Sequence, residues 1–125
     1  MPTEWRVLSR SAGLAVREGG IEARFLDGRS QRVYVEEGDP EVIRVWSVAA
    51  SPSALRQLDD ANLALWHRNR LSDLVGFKTD GRGRAIGEAW VAREGLDAEE
   101  WATYVRAVAF ACDRLEYLLT GRDEE

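Results

Sequence analysis

The run Ile21-Glu22-Ala23-Arg24-Phe25-Leu26-Asp27-Gly28-Arg29-Ser30-Gln31-Arg32-Val33-Tyr34-Val35-Glu36 decides the architecture. Ile21, Ala23 and Phe25 alternate with Glu22, Arg24 and Leu26, the period-two pattern of a strand with one buried face. Gln31 to Glu36 returns in the same extended style. Asp27-Gly28 between them is a hairpin signal, because both residues tolerate the positive φ of a type I′ turn. Gly38-Asp39-Pro40 marks a second turn, and Val42 to Val48 reads as a third strand. The sheet is therefore expected to be antiparallel.

Downstream, Ser51-Pro52 opens a helix: serine caps a free N–H and proline at the first helical position sacrifices no hydrogen bond. Leu55, Leu58, Ala61 and Leu65 keep a helical spacing, so this helix is expected to run to about Arg70. Leu74 to Lys78 reads as a strand, Asp80-Gly81-Arg82-Gly83 as a turn, and Ala85 to Ala92 as the returning strand. Asp97 with Glu100 forms a capping box for a last helix carrying Trp101, Tyr104, Val105, Val108, Cys112, Leu115 and Leu119. Gly121 is placed to end it in a left-handed cap, and residues 122–125 are expected to fray. Before Leu14 the pattern is ambiguous, and residues 1–13 are expected to form a short helix or strand, with strand from about Leu14. The expected fold is one α+β domain over residues 1–125: a five-stranded antiparallel sheet with two main helices, in the order strands, helix, strand pair, helix.

Composition narrows the function classes. The 125 residues are 45% hydrophobic and 31% charged, as in an ordinary soluble domain able to bury a core without staples. No apolar run approaches the ~18 residues of a spanning helix. Seventeen basic against 22 acidic residues leave a net charge of -5, and arginines alternate with carboxylates instead of forming a basic stripe. Nucleic acid and membrane are therefore not expected partners. A single cysteine forms no internal disulfide, and Met1 to Arg10 holds no apolar signal core, so the expected compartment is the cytoplasm.

The chemical inventory is sparse. His67 is the only histidine and reads as a complement to a helix C-terminus, so no ordinary metal cluster is expected. Cys112 falls on the inward face of the last helix, where a buried thiol is inert. Gly81-Arg82-Gly83 lacks the Lys-Ser/Thr of a phosphate loop and lies between strands. Glu36-Glu37, Asp59-Asp60 and Glu99-Glu100 are neighbours that point in different directions and read as solvated faces. No catalytic residue, metal site or cofactor is expected.

Five tryptophans are more informative. Trp101 reads as core. On the third strand Ile43 and Val45 point to one face while Val42, Trp46 and Val48 point to the other, so both faces are apolar. Ile86 and Trp90 share a face of the last strand. Two helices cover one face of such a sheet. The second face wants the N-terminal segment, another copy of the chain, or a bound peptide. Candidate contact residues are Trp46, Trp66, Phe77, Ile86 and Trp90, each with core packing as the alternative.

From about Val42 to the end, the chain resembles the type III secretion chaperone-like and YbjN-like family of bacterial α+β domains. The resemblance rests on Leu65-Trp66-His67-Arg68-Asn69, the strand Leu74-Val75-Gly76-Phe77, the turn Asp80-Gly81-Arg82-Gly83, the strand Ala85 to Val91, and Asp113-Arg114-Leu115-Glu116-Tyr117-Leu118-Leu119. It implies a non-catalytic, homodimeric chaperone-like or adaptor module. Such a module binds an extended segment of a client protein through apolar patches and added strands. The chain departs from the family in lacking a clear amphipathic first helix. A second reading is an acidic stoichiometric inhibitor of the immunity-protein type, and a third is a small enzyme built from distant carboxylates and arginines.

Overall fold

The computed structural model describes residues 4–70 and 73–120. The expected Gly121 cap and the tail 122–125 lie outside them. The elements are α1 (Trp5–Ser11), β1 (Ala15–Arg17), β2 (Gly20–Arg24), β3 (Ser30–Glu36), β4 (Val42–Ala50), α2 (Pro52–Arg56), α3 (Ala61–Arg70), β5 (Gly76–Thr79), β6 (Ala85–Ala92) and α4 (Ala98–Thr120). The fold is α+β with an antiparallel sheet, as the sequence leads one to expect. The sheet has six strands, not five, in the order β1-β2-β3-β4-β6-β5. The strand beyond the expected five is β1, in the segment expected to be extended from about Leu14, and it pairs Ala15 with Glu22 and Arg17 with Gly20.

The hairpin between β2 and β3 is not a two-residue type I′ turn. Among the described residues only glycines have positive φ, and Asp27 is not one of them. Phe25 N–H donates to Arg29 O at 2.8 Å, and Gly28 N–H donates to Phe25 O at 3.0 Å. With Gly28 at φ +93°, this is a three-residue loop that needs one left-handed residue. Asp27 is free to accept from Arg29 N–H at 3.1 Å and Arg29 Nε at 2.7 Å. Asp80 to Arg84 repeats the design, with Gly83 in the left-handed position.

The expected long helix from Ser51 to Arg70 is two helices. Ser51 caps α2 as anticipated, its hydroxyl accepting from Ala54 N–H at 3.1 Å. Asp60 is not simply a solvated carboxylate; its Oδ1 accepts from Leu63 N–H at 3.1 Å and starts α3 afresh. At α4, Asp97 Oδ1 accepts from Glu100 N–H at 2.8 Å.

All the principal packing is on one face of the sheet. Helix α4 lies across β4, β6 and β3, where Ile43, Val45 and Ala49 of β4 and Val33 of β3 are buried with Trp101, Val105, Val108, Cys112 and Leu115. Close approach of helix and sheet depends on Gly87. A Cβ there would stand 2.6 Å from Cys112 Sγ and 3.0 Å from the Phe77 ring. The N-terminal segment joins this same layer and does not cover the opposite face: α1 packs on α4 and β1. The Trp5 and Trp101 rings lie 6.5 Å apart. Trp101 Nε1–H donates to Ser9 Oγ at 2.7 Å, and the Ser9 hydroxyl donates to Trp5 O at 2.7 Å. A second long-range tie is Arg29 to Asp113, at 2.9 Å, which fastens the β2–β3 hairpin to α4 with the aspartate buried.

Candidate functional site

The five aromatic and aliphatic candidates do not form one cluster. Phe77 is 4% exposed and belongs to the core under α4, so it presents no contact surface. Ile86 does face the side away from α4, but its register partners Val48 and Lys78 flank it and leave it 2% exposed. Trp46 and Trp90 lie on that same uncovered face. Tyr34 stacks on Trp46 with ring centroids 4.5 Å apart. Arg44 bridges the two tryptophans, its guanidinium carbon 5.4 Å from the Trp46 ring and 5.8 Å from the Trp90 ring. Trp90 remains 55% exposed. Trp66 is elsewhere, on α3, where it and Leu63 are half exposed one turn apart, with Arg70 over the indole at 5.1 Å. Leu74 adds a third exposed apolar group in the segment that follows.

Electrostatics organise the uncovered face around Glu88. Its Oε1 receives Arg44 Nε at 2.5 Å and its Oε2 is 3.1 Å from Lys78 Nζ. Burial acts to raise its pKa, but hydrogen bonds and charge from Arg44 and Lys78 outweigh that and hold it below the ordinary value of 4.5. A carboxyl with a lower pKa folded than unfolded stabilises the fold fully above its unfolded pKa, and that stability is lost as pH falls through the folded one. Glu88→Gln should therefore flatten the decline of stability in acid below about pH 4.5. Chemical denaturation of both proteins across that range checks this, and equal acid slopes would show that the cluster contributes nothing.

A groove that the sequence did not reveal lies at the other side of the molecule, where β1 ends before β2 does. Leu14, Ala23, Phe25, Ala109 and Phe110 line it, and its volume is about 340 Å3. Arg24, Arg106 and Glu22 also line it, with Arg24 Nε 3.5 Å from Glu22 Oε2. Phe110 is 60% exposed and Leu26, at the adjoining hairpin tip, is fully exposed. Backbone phase matters here. The Phe25 N–H to Arg29 O bond fixes the alternation along β2, so the peptide groups of Arg24 turn away from β3 towards the side where β1 runs. The last β1 pair is Ala15 with Glu22, and the chain before it bends towards α1, with Leu14 N–H on Ser9 O. The overhang at Arg24 is thus an open sheet edge beside an apolar groove. The one available sequence signal was Phe110, an aromatic off the buried stripe of α4.

Among the described residues no group of three or more His, Cys, Asp and Glu side chains could hold a metal ion. Burial pushes the Cys112 thiol up to about 12, so it carries no thiolate near neutral pH. No described helix is long and apolar enough to cross a membrane.

The α+β architecture is similar to that of chains in two solved complexes, one of them a chaperone-effector complex. A chain in the crystal structure of the ExsC-ExsE complex superposes with a TM-score of 0.53 at 17% identity, covering 92% of this chain and 92% of that one. A chain in the HopA1-SchA chaperone-effector complex superposes with a TM-score of 0.52 at 15% identity, covering 92% of this chain and 86% of that one. At such identities the likeness is one of fold. No family model and no curated protein sequence matches the chain.

Proposed function

We propose that this chain is a non-catalytic, chaperone-like protein-binding module of the bacterial cytoplasm that works as a homodimer and holds an extended segment of a client protein. The observation that carries the reading is the groove at the β2 overhang, which combines apolar walls with outward-facing backbone. Strand addition draws affinity from main-chain hydrogen bonds and selectivity from side-chain pockets, and this groove offers both. The Trp46–Trp90 face supplies a second apolar surface for the same client. Leu63, Trp66 and Leu74 supply the contact between two copies, since single exposed apolar residues are common but a helical pair one turn apart is a packing stripe. That one partner of each of two solved complexes shares the fold supports a role in holding another protein.

The test is a pull-down from native bacterial cytosol with the tagged protein, with partners identified by mass spectrometry and the retained segment mapped by limited proteolysis. One dominant partner held through a protease-protected stretch is the expected result. Recovery of only its own untagged copy would remove the client from the reading. Trp90→Ala should weaken retention of that partner several-fold while changing stability by about 1 kcal/mol or less, because the indole is more than half exposed. Cooperative unfolding lost with Trp90 would return it to the core. Retention should also persist from low to moderate salt; a steep fall would favour the acidic-inhibitor reading, in which charge steers association.

A further inference from the structure

The sheet has two edges, and they are finished differently. At the β5 edge, the Asp80 N–H to Arg84 O bond sets the ladder phase. Counting along the register Thr79–Ala85, Lys78–Ile86 and Phe77–Gly87, the peptide groups of Phe77 and Thr79 point outward, away from β6. A neighbouring strand would bond to these groups. At Phe77 they are already occupied. Phe77 N–H donates to Asn69 Oδ1 at 2.6 Å, and Asn69 Nδ2–H donates to Phe77 O at 2.9 Å. A side-chain amide carries the same donor and acceptor as a peptide group, so Asn69 reproduces at this position the pair of bonds an added strand would make. Helix α3 runs beside β5 and holds the asparagine in place. Covering an edge in this way prevents pairing with other chains.

The opposite edge is not closed to the same extent. Strand β1 is only three residues long. The C=O of Val16, outward in phase, accepts from Arg17 Nη1 at 3.1 Å, but β2 continues beyond β1 with Arg24 turned outward beside the groove.

We infer that Asn69 seals the β5 edge against strand addition, and thereby directs an extended partner chain to the β2 overhang at Arg24. The second half of this statement rests on the function proposed above; the first half stands on the Asn69–Phe77 geometry alone. Asn69 is a specificity-determining residue in this account: it decides which edge of one sheet is an acceptor. The edge it closes is an exposed four-residue strand followed by a glycine-rich turn, the kind of edge open to pairing with another chain.

The experiment needs no client. Asn69→Ala and Asn69→Asp are compared with the unaltered protein by sedimentation velocity over a hundredfold concentration range, and by backbone amide exchange in NMR. At low concentration, Asn69→Ala should speed exchange of the Phe77 amide at least tenfold. At high concentration its average mass should rise to at least twice that of the unaltered protein. Asn69→Asp keeps the acceptor for Phe77 N–H but loses the donor to Phe77 O, so it should fall between the two. Adding Thr79→Pro to Asn69→Ala removes the next outward N–H and should return the mass to the original value. Folded variants with unchanged mass and unchanged Phe77 exchange overturn the inference. So does association that Thr79→Pro leaves intact, because it then runs through another surface. Loss of the fold in both Asn69 variants would make the asparagine a folding residue and remove the proposal as well. None of these outcomes bears on whether a client exists, so failure here and failure of the chaperone-like reading are separate events.

Discussion

Trp101→Ala should lower stability by about 4 kcal/mol, the usual cost of truncating a large buried aromatic. The indole is fully buried, packs against Trp5, and donates to Ser9 Oγ. Against a total stability of about 5–15 kcal/mol, such a loss is a large fraction. For a chain of this length, the melting temperature should drop by roughly 15 °C. The effect has two separable parts. Trp101→Phe keeps most of the ring but deletes the N–H donor, while Ser9→Ala keeps the ring and leaves the indole N–H buried without its partner, at about 1–3 kcal/mol. A double-mutant cycle between them should show coupling of about 1 kcal/mol. Calorimetry or urea titration reads all three values. Strict additivity, or a Trp101→Ala loss below 1 kcal/mol, would mean that α1 is not fastened to α4 through this pair.

The second large effect is expected at the groove. Phe110 is mostly exposed, so replacing it disturbs the core little. Phe110→Asp removes an aromatic wall and sets a negative charge beside Arg24 and Arg106 at the groove margin. The apolar dye 1-anilinonaphthalene-8-sulfonate is a suitable probe, because its rings match the apolar walls and Arg106 offers its sulfonate a cation beside the Arg24–Glu22 pair. Its binding should weaken by roughly 30-fold or more, corresponding to loss of about 2 kcal/mol at one central aromatic contact. The unfolding midpoint should stay nearly unchanged. Equal dye binding by both proteins would place the probe on another surface, with the Trp46–Trp90 face the next to be tested. Loss of client retention in the pull-down should follow the loss of dye.

What the sequence disclosed was whatever is settled over a few neighbouring residues. The β2–β3 alternation, the Ser51 and Asp97 caps and the glycine turns are local, and each is found where expected. Turn type is not local in this sense: Asp-Gly suits both a two-residue loop and a three-residue loop, and only the strand pairing distinguishes them. Asp60 looks by composition like one of two solvated acids, whereas the break after α2 gives it a cap to make. Non-local facts were out of reach. Gly87 has no visible role until Cys112 is brought against it, and Trp5 has none until α4 arrives. The two opposite faces of β4 were legible from alternation, but Ile86 was not, since its burial depends on what lies on the neighbouring strands. The groove depends on how far β1 pairs along β2, a matter of register that no single stretch encodes.

The tie between Ser9 and Trp101 joins residues 92 positions apart. During synthesis, the strands that α4 covers leave the ribosome before α4 does, and their inner face, with Ile43, Val45 and Val91, has no helix to lie against. Helix α1, which precedes the sheet in the chain, likewise waits for its anchor. Until α4 has been made, such a chain carries uncovered sheet surface, and transiently exposed apolar strands are prone to aggregate. Under the function proposed above, the chain would itself pass through the exposed state from which it shields an extended segment of another protein.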